Sequence, residues 1–214
     1  IRAMVTLYAL YSWQDGETTR YTTQPQNKVC PSAAFSDLDV TQWYHEPVDY
    51  MLETGMMNGM SATTFEPNST TTRGMIVTML YRLENEPTAA SAGFTDVAAG
   101  QWYTDAVNWA AANNIVNGYG DDQFGPTDTI TREQMAAILY RYAQYKGYDV
   151  TASADLSAYT DAANISSYAV SAMQWDVGEG LINGITDTTL VPGGSATRAQ
   201  VAAILMRFCE NVAK

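Results

Sequence analysis

The sequence is poor in the residues that carry most enzyme chemistry. It has one histidine and two cysteines among 214 residues. The cysteines do not form a CxxC pair, which argues against a zinc or redox site. Any Ser-His-Asp or Cys-His arrangement would need His45, and no GxSxG elbow exists to accompany it. We therefore expect an ordinary surface histidine, no cofactor, no metal and no catalytic activity.

Positive charge is also scarce. Eleven Lys and Arg residues face 23 Asp and Glu residues, which gives a net charge of −12. This balance argues against nucleic acid and against anionic lipid as partners. No apolar run approaches the ~20 residues that span a membrane, but a hydrophobic content of 46% is enough to form a core. Because the chain starts at Ile1, we expect it to be a piece of a longer protein.

The two cysteines lie near opposite ends of the chain. A disulfide between Cys30 and Cys209 would tie the N-terminal segment to the last helix if the protein is secreted. The alternative is two separate buried thiols. Sequence cannot show whether the Cα atoms are close enough for a bond, so both possibilities stay open.

Three copies of one pattern fill most of the chain. In each copy an Asn-Gly pair precedes the arginine of a Thr-Arg pair by 15 residues, with a proline at the same place between them. An aromatic-x-Asp triplet opens each copy. These triplets are Phe35–Asp37, Phe94–Asp96 and Tyr159–Asp161. Such invariant spacing indicates repeats that cannot close a core alone and pack on one another.

Each copy has the pattern of two helices around an ordered loop. Apolar residues at spacings of three and four predict first helices over about Tyr44–Thr54, Tyr103–Asn113 and Ala169–Gly178. Gly55, Asn114 and Gly180 suit left-handed C-caps, and the Asn-Gly pairs predict tight turns. The second helices should start at the N-caps Thr72, Thr131 and Thr197. Gln134 and Gln200 complete capping boxes, whereas Met75 cannot.

The repeats resemble the S-layer homology family. The resemblance covers about residues 35 to 212 and rests on the opening triplet, the aromatic pair, the Asn-Gly turn, the loop proline and the Thr-Arg helix start. The last motif reads Thr131-Arg132-Glu133-Gln134 and Thr197-Arg198-Ala199-Gln200, close to the family's TRAE-like signature. The first copy, Thr72-Arg73-Gly74-Met75, departs from it.

The resemblance implies a mainly α fold. Three helix-loop-helix repeats would pack as a pseudo-threefold unit around a central helix bundle, with grooves between the repeats. We place the repeats at 35–87, 94–147 and 159–213. Residues 1–34 would be an N-terminal extension, either the remnant of a preceding repeat or an unrelated helix or strand.

The resemblance also implies a function at the bacterial cell surface. Family members bind secondary cell-wall polymers, often with pyruvylated amino sugars. We therefore expect an extracellular, non-catalytic anchoring module whose partner is an anionic cell-wall glycan, either a secondary cell-wall polymer or a glycan linked to peptidoglycan. The alternative is a structural protein that self-assembles into a surface layer or filament.

The family's main ligand contact is the Thr-Arg arginine, which carries over to Arg73, Arg132 and Arg198. The loop glycine lines the groove as well, which carries over to Gly59, Gly118 and Gly184. An arginine beside the free N–H groups of a helix start can hold a carboxylate, and aromatic rings can face sugars. The candidate rings are Trp43, Trp102 and Tyr168.

Structural roles compete with these assignments. Each Thr-Arg arginine could instead bridge to Asp37, Asp96 or Asp161 of a neighbouring repeat. Core packing is the favoured role for the tryptophans, because large aromatic side chains are mostly buried. Three further arginines lie in the last turns of the second helices, where cations favour the helix dipole. We expect these three to be structural: Arg82, Arg141 and Arg207.

Overall fold

The computed structural model describes residues 11–15, 18–22 and 30–213. This part is mainly helical, as predicted. Its α-helices are α1 (His45–Glu53), α2 (Arg73–Leu83), α3 (Thr104–Ala112), α4 (Arg132–Lys146), α5 (Val170–Gly178) and α6 (Arg198–Asn211). Single 3-10 turns lie at Pro31–Ala34, Ala162–Asn164 and Ser167–Ala169.

A β-hairpin precedes the helices. Strand β1 (Tyr11–Asp15) pairs antiparallel with β2 (Thr18–Thr22), with Tyr11 opposite Thr22. Sequence analysis did not predict this hairpin. In the N-terminal extension considered there as the remnant of a preceding repeat, residues 1–10, 16–17 and 23–29 lie outside the described residues.

The helix ends follow the local signals. Thr72, Thr131 and Thr197 each accept a hydrogen bond from the backbone N–H three residues later, and the last two form full capping boxes with Gln134 and Gln200. The predicted C-caps are left-handed, with φ of 71° at Gly55, 57° at Asn114 and 69° at Gly180. These features are set by short-range chemistry, so the sequence predicts them well.

The helices pair between repeats. The first helix of each repeat packs on the second helix of the preceding repeat: α3 on α2, α5 on α4, and α1 on α6. Large side chains fill the joints, with Tyr81 of α2 against Trp109 of α3 and Tyr140 of α4 against Trp175 of α5. The pairing is therefore cyclic, because the last repeat closes onto the first.

Backbone hydrogen bonds close the same cycle at the starts of the second helices. The N–H of Arg73 donates to Asp128, that of Arg132 to Gly194, and that of Arg198 to Ser69, each time into the next loop around the ring. At the centre Thr71, Ile130 and Ala196 bond in a closed triangle, with N···O distances of 2.9 to 3.3 Å. Each repeat thus makes the same contacts with its neighbour, which is the pseudo-threefold arrangement.

The buried hydrophobic residues of the three repeats form one continuous core. The second helices contribute more of it than the first helices do, and the Tyr142 ring of α4 packs 5.5 Å from Phe208 of α6. Within the described ranges, no helix is long and apolar enough to cross a membrane.

Candidate functional site

The Thr-Arg arginines clamp the loops of neighbouring repeats. Arg132 Nε donates to the Leu190 carbonyl at 2.8 Å and Nη2 to the Asn183 carbonyl at 2.6 Å. Arg73 makes the same pair of bonds to Phe124 and Asn117, and Arg198 to Phe65 and Asn58. All three side chains are buried, with 3 to 5% exposed. Each arginine therefore has a structural role that sequence analysis had not specified.

The Arg–Asp bridges considered as an alternative role do not form. Among the described residues, none of these arginines makes an ion pair with a carboxylate. Asp37, Asp96 and Asp161 instead each accept two backbone N–H bonds from the loop, as Asp96 does from Phe124 and Gly125. Aspartate and arginine thus hold the same loop through its N–H groups and its carbonyl, respectively.

Burial and charge act against each other at these groups. Burial lowers the pKa of Arg132, while the charge of Asp161 raises it. For Asp161 the hydrogen bond from Leu190 is the main reason that its pKa lies below the usual value, and Arg132 adds to this. Arginine is effectively always protonated in proteins, so each loop has a fixed positive charge beneath it.

Each arginine lies at the base of a cleft between repeats. Cleft 1 has a volume of about 380 Å³, cleft 2 about 370 Å³ and cleft 3 about 340 Å³. Each contains a Thr-Arg arginine, an Asn-Gly pair, a second arginine and an aromatic ring. In cleft 1 these are Arg73, Asn117–Gly118, Arg141 and Tyr168; in cleft 2, Arg198, Asn58–Gly59, Arg82 and Trp102; in cleft 3, Arg132, Asn183–Gly184, Arg207 and Trp43.

Every cleft draws on all three repeats. In cleft 1, Arg73 comes from the first repeat, Asn117 and Arg141 from the second, and Tyr168 from the third. The other two clefts repeat this rule around the ring. The predicted site residues are therefore brought together, although no two of the four parts of a cleft are neighbours in sequence.

The aromatic residues point outward, against the expectation of core packing. Trp43 is 61% exposed, Trp102 58% and Tyr168 52%. The residue that follows each is buried: Tyr44 and Tyr103 meet the tryptophan rings edge-on at 5.6 and 5.1 Å. In the third repeat Tyr168 instead donates to Glu133 at 3.3 Å. The buried partner, not the tryptophan, meets the core.

The glycines are required by close packing. The prediction of tight turns at the Asn-Gly pairs is wrong, because the backbone is irregular there and forms no turn, and none of the three glycines has a positive φ. A Cβ on Gly118 would collide with the Gln123 carbonyl and lie 2.8 Å from the Phe94 ring. Gly59 meets Phe35 and Gly184 meets Tyr159 in the same way. The ring of each repeat's opening aromatic residue therefore packs so close to the glycine of the Asn-Gly pair that a larger residue would not fit.

The second arginines were assigned to the helix dipole alone, but they also line the clefts. Arg82 Nη1 donates to the Met56 carbonyl at 3.2 Å, and Arg207 Nη1 to Leu181 at 3.1 Å. The signal in the sequence was their constant distance of nine residues from the Thr-Arg arginine. A spacing of nine leaves two arginines 2.5 turns apart, on opposite sides of one helix. The two arginines of a helix accordingly line different clefts, with Arg73 in cleft 1 and Arg82 in cleft 2.

The three clefts are similar but not identical. Tyr119 lies over the Arg73 guanidinium in cleft 1, with 4.3 Å to the ring centroid. Met60 and Ile185 follow the corresponding glycines in clefts 2 and 3. Cleft 2 also has Met75 where the others have Gln134 and Gln200. The side chains that line the three clefts therefore differ at two positions.

Comparison with known proteins agrees with this geometry. The family model for the S-layer homology domain matches residues 34–74, 93–136 and 158–202. The chain belongs to this family. The chain is also 33% identical to an amylopullulanase of Thermoanaerobacterium thermosulfurigenes, over 83% of its length and 10% of the relative's.

Two further relatives have names that refer to surfaces and anchoring. A surface-layer 125 kDa protein of Lysinibacillus sphaericus is 28% identical over 86% of the chain and 16% of its own length. A cellulosome-anchoring protein of Acetivibrio thermocellus is 26% identical over 80% of the chain and 40% of its own length. The chain thus spans two fifths or less of these relatives. The region shared with this chain therefore occurs both in a protein named as an enzyme and in proteins named for a surface layer or for anchoring.

The cysteines do not form the disulfide considered above. Both are free thiols in the structure. Cys30 Sγ lies 3.1 Å from His45 Nε2 and 3.3 Å from Asp49 Oδ2, while the Cys209 thiol lies beside Tyr50. Each thiol thus contacts a different part of α1.

Proposed function

We propose that this chain is a non-catalytic anchoring module that binds an anionic cell-wall polysaccharide in its three clefts, at the bacterial cell surface. One observation carries the proposal: each cleft unites a buried guanidinium, a second arginine and an exposed aromatic ring from three repeats. The family membership and the surface-layer and anchoring relatives support it.

The donors available in the clefts suit a carboxylate. Carbonyls occupy Nε and Nη2 of each Thr-Arg arginine, whereas Nη1 has no acceptor in the part of the chain that the structure describes. Charge-assisted hydrogen bonds from such a group to a carboxylate are strong. The ketal carboxylate of a pyruvylated amino sugar is a ligand of this chemistry, and Trp43, Trp102 or Tyr168 would face its ring.

The test is a pull-down on purified cell walls. The triple variant Trp43→Ala, Trp102→Ala, Tyr168→Ala removes exposed rings, so it should stay folded and bind walls at least about tenfold more weakly. The matched control is Tyr145→Ala, which removes an exposed ring outside the clefts. Wall binding equal to wild type in the triple variant would contradict the proposal.

Chemical treatment of the walls tests the ligand class. Mild acid that removes ketal-linked pyruvate should abolish binding if the ligand is pyruvylated. Retained binding after removal of the whole secondary polymer would contradict a role for that glycan. Concentration-dependent light scattering of the chain without wall material would favour self-assembly instead.

A further inference from the structure

A fourth cleft lies at the start of α1 and shares no lining residue with clefts 1 to 3. Three of its lining residues meet at one point: Cys30 from the segment before the first repeat, and His45 and Asp49 from one face of α1. The helix positions differ by four residues, which places both side chains on the same side. All three are partly buried.

The three ligand atoms form a nearly equilateral triangle. The distance is 3.1 Å from Cys30 Sγ to His45 Nε2, 3.3 Å from Sγ to Asp49 Oδ2, and 3.2 Å from Nε2 to Oδ2. In a tetrahedral zinc site the bonds are about 2.3 Å to sulfur and about 2.0 to 2.1 Å to nitrogen and oxygen. Ligand atoms on such bonds lie about 3.3 to 3.6 Å apart, so a small outward movement would admit the ion.

Hydrogen bonds alone explain this triangle poorly. A neutral thiol and a neutral imidazole bring at most two protons to three close contacts. A catalytic Cys-His-Asp arrangement would place the carboxylate on the other imidazole nitrogen, away from the sulfur. Here sulfur and carboxylate both approach Nε2. A cation at the centre would satisfy all three atoms at once.

The carboxylate is already oriented for this role. Its other oxygen, Oδ1, accepts hydrogen bonds from the Ser32 backbone N–H at 2.8 Å and from the Ser32 hydroxyl. Ser32 is buried, with 1% exposed. Such outer contacts fix metal-binding carboxylates in known sites. Partial burial would raise the pKa of Asp49, but these bonds, Cys30 and the charge of His45 together lower it.

We propose that Cys30, His45 and Asp49 bind a divalent transition-metal cation, with Zn²⁺ as the preferred ion. A sulfur, nitrogen and oxygen donor set suits zinc, whereas Ca²⁺ and Mg²⁺ prefer oxygen alone. The fourth position faces the cleft, which Glu46 and Glu210 also line. The ion would fasten the segment before the first repeat to α1. The absence of CxxC in the sequence had argued against such a site.

Calorimetric titration of the reduced chain with ZnCl₂ is the first test. One equivalent should bind, with release of about one proton because the thiol must ionise. Co²⁺ should give a sulfur-to-metal charge-transfer band. Cys30→Ser should abolish both signals, whereas Cys209→Ser, the matched control, should leave them unchanged. Equal zinc binding by Cys30→Ser, no stoichiometric binding, or a cobalt spectrum without the sulfur band would each overturn the proposal.

Ser32→Ala tests the positioning of the carboxylate without removal of a ligand. We expect zinc affinity to fall about 10- to 100-fold, with the cobalt spectrum still tetrahedral. Binding of zinc should also raise the melting temperature of wild type but not of Cys30→Ser. A Cys30–Cys209 disulfide in the native protein, found by mass spectrometry, would contradict the site.

Discussion

A buried carboxyl group in α5 should limit the stability of this fold. Asp176 is fully buried, and neither carboxyl oxygen has a hydrogen-bond partner within the described ranges. Its carbonyl accepts the bond from Ile182 that Ala110 accepts from Val116 and Met51 from Met57 in the other repeats. The equivalent positions are thus apolar, and Asp176→Ala should increase the free energy of unfolding.

The expected gain follows from the missing partners. An unpaired buried polar group costs about 1–3 kcal/mol, and each kcal/mol should raise the melting temperature by about 2–4 °C in a chain of this size. Burial also raises the pKa of Asp176 well above its usual value. The neutral form is therefore favoured in the native state, and the unfolded state releases the proton at lower pH.

The sign of the pH dependence follows from this shift. Proton binding by native Asp176 offsets part of the cost of its burial. This offset is fully present below the unfolded pKa of about 3.9 and is lost as the pH rises through the raised native pKa. The gain from Asp176→Ala should therefore grow from pH 5 to pH 7.5, by up to about 1.36 kcal/mol per pH unit. The contributions of the other carboxylates to the pH dependence of stability are the same in both proteins, so they cancel in the difference between variant and wild type.

The assay is urea unfolding of both proteins at pH 5 and pH 7.5, followed by far-UV circular dichroism. Ala110→Asp is the mirror variant, because it places a carboxyl at the equivalent position of the second repeat and should destabilise. A loss of stability in Asp176→Ala at pH 7.5, or a gain that does not change with pH, would refute the reasoning.

Three further predictions concern the clefts. Gly118→Ala should cost about 1–3 kcal/mol of unfolding free energy because its Cβ meets Phe94 and Gln123; Gly193→Ala, with open space around it, should be nearly neutral in the same urea assay. Arg132→Lys should lose about 1–3 kcal/mol because one buried carbonyl of the next loop loses its donor, and an unchanged urea midpoint would contradict the clamp. Wall association should depend little on salt or rise with it, because a net charge of −12 repels an anionic polymer at long range; a steep loss of on-rate with added NaCl would contradict local capture.

Sequence predicted the parts of this structure that depend on neighbours along the chain. Thr131 and Gln134 form their capping box wherever the helix packs, and Asn114 ends its helix through its own backbone. The sequence did not predict which helices pack together, because the apolar face of one helix does not identify the helix that will cover it. Trp102 is a large apolar residue of the kind usually found in a core. In this structure Tyr103 takes the buried position, and the Trp102 side chain is exposed.

The remaining features of the candidate sites depend on contacts between residues that are far apart in the sequence. The four-residue spacing of His45 and Asp49 is visible in the sequence, but Cys30 joins them only because the turn at Pro31–Ala34 brings the preceding segment back to α1. Similarly, the Thr-Arg arginines were recognised from their motif. Their contact with carbonyls of another repeat, 44 to 140 residues away in the sequence, was not visible.

The cyclic construction makes the three clefts depend on one another. Removal of the third repeat would take Tyr168 from cleft 1, Arg198 from cleft 2 and the Asn183–Gly184 wall from cleft 3. It would also expose the faces of α4 and α1 that α5 and α6 cover. A two-repeat fragment therefore keeps no complete cleft. If the clefts bind the wall, affinity should fall to background on truncation rather than by a third, as it would for three independent sites.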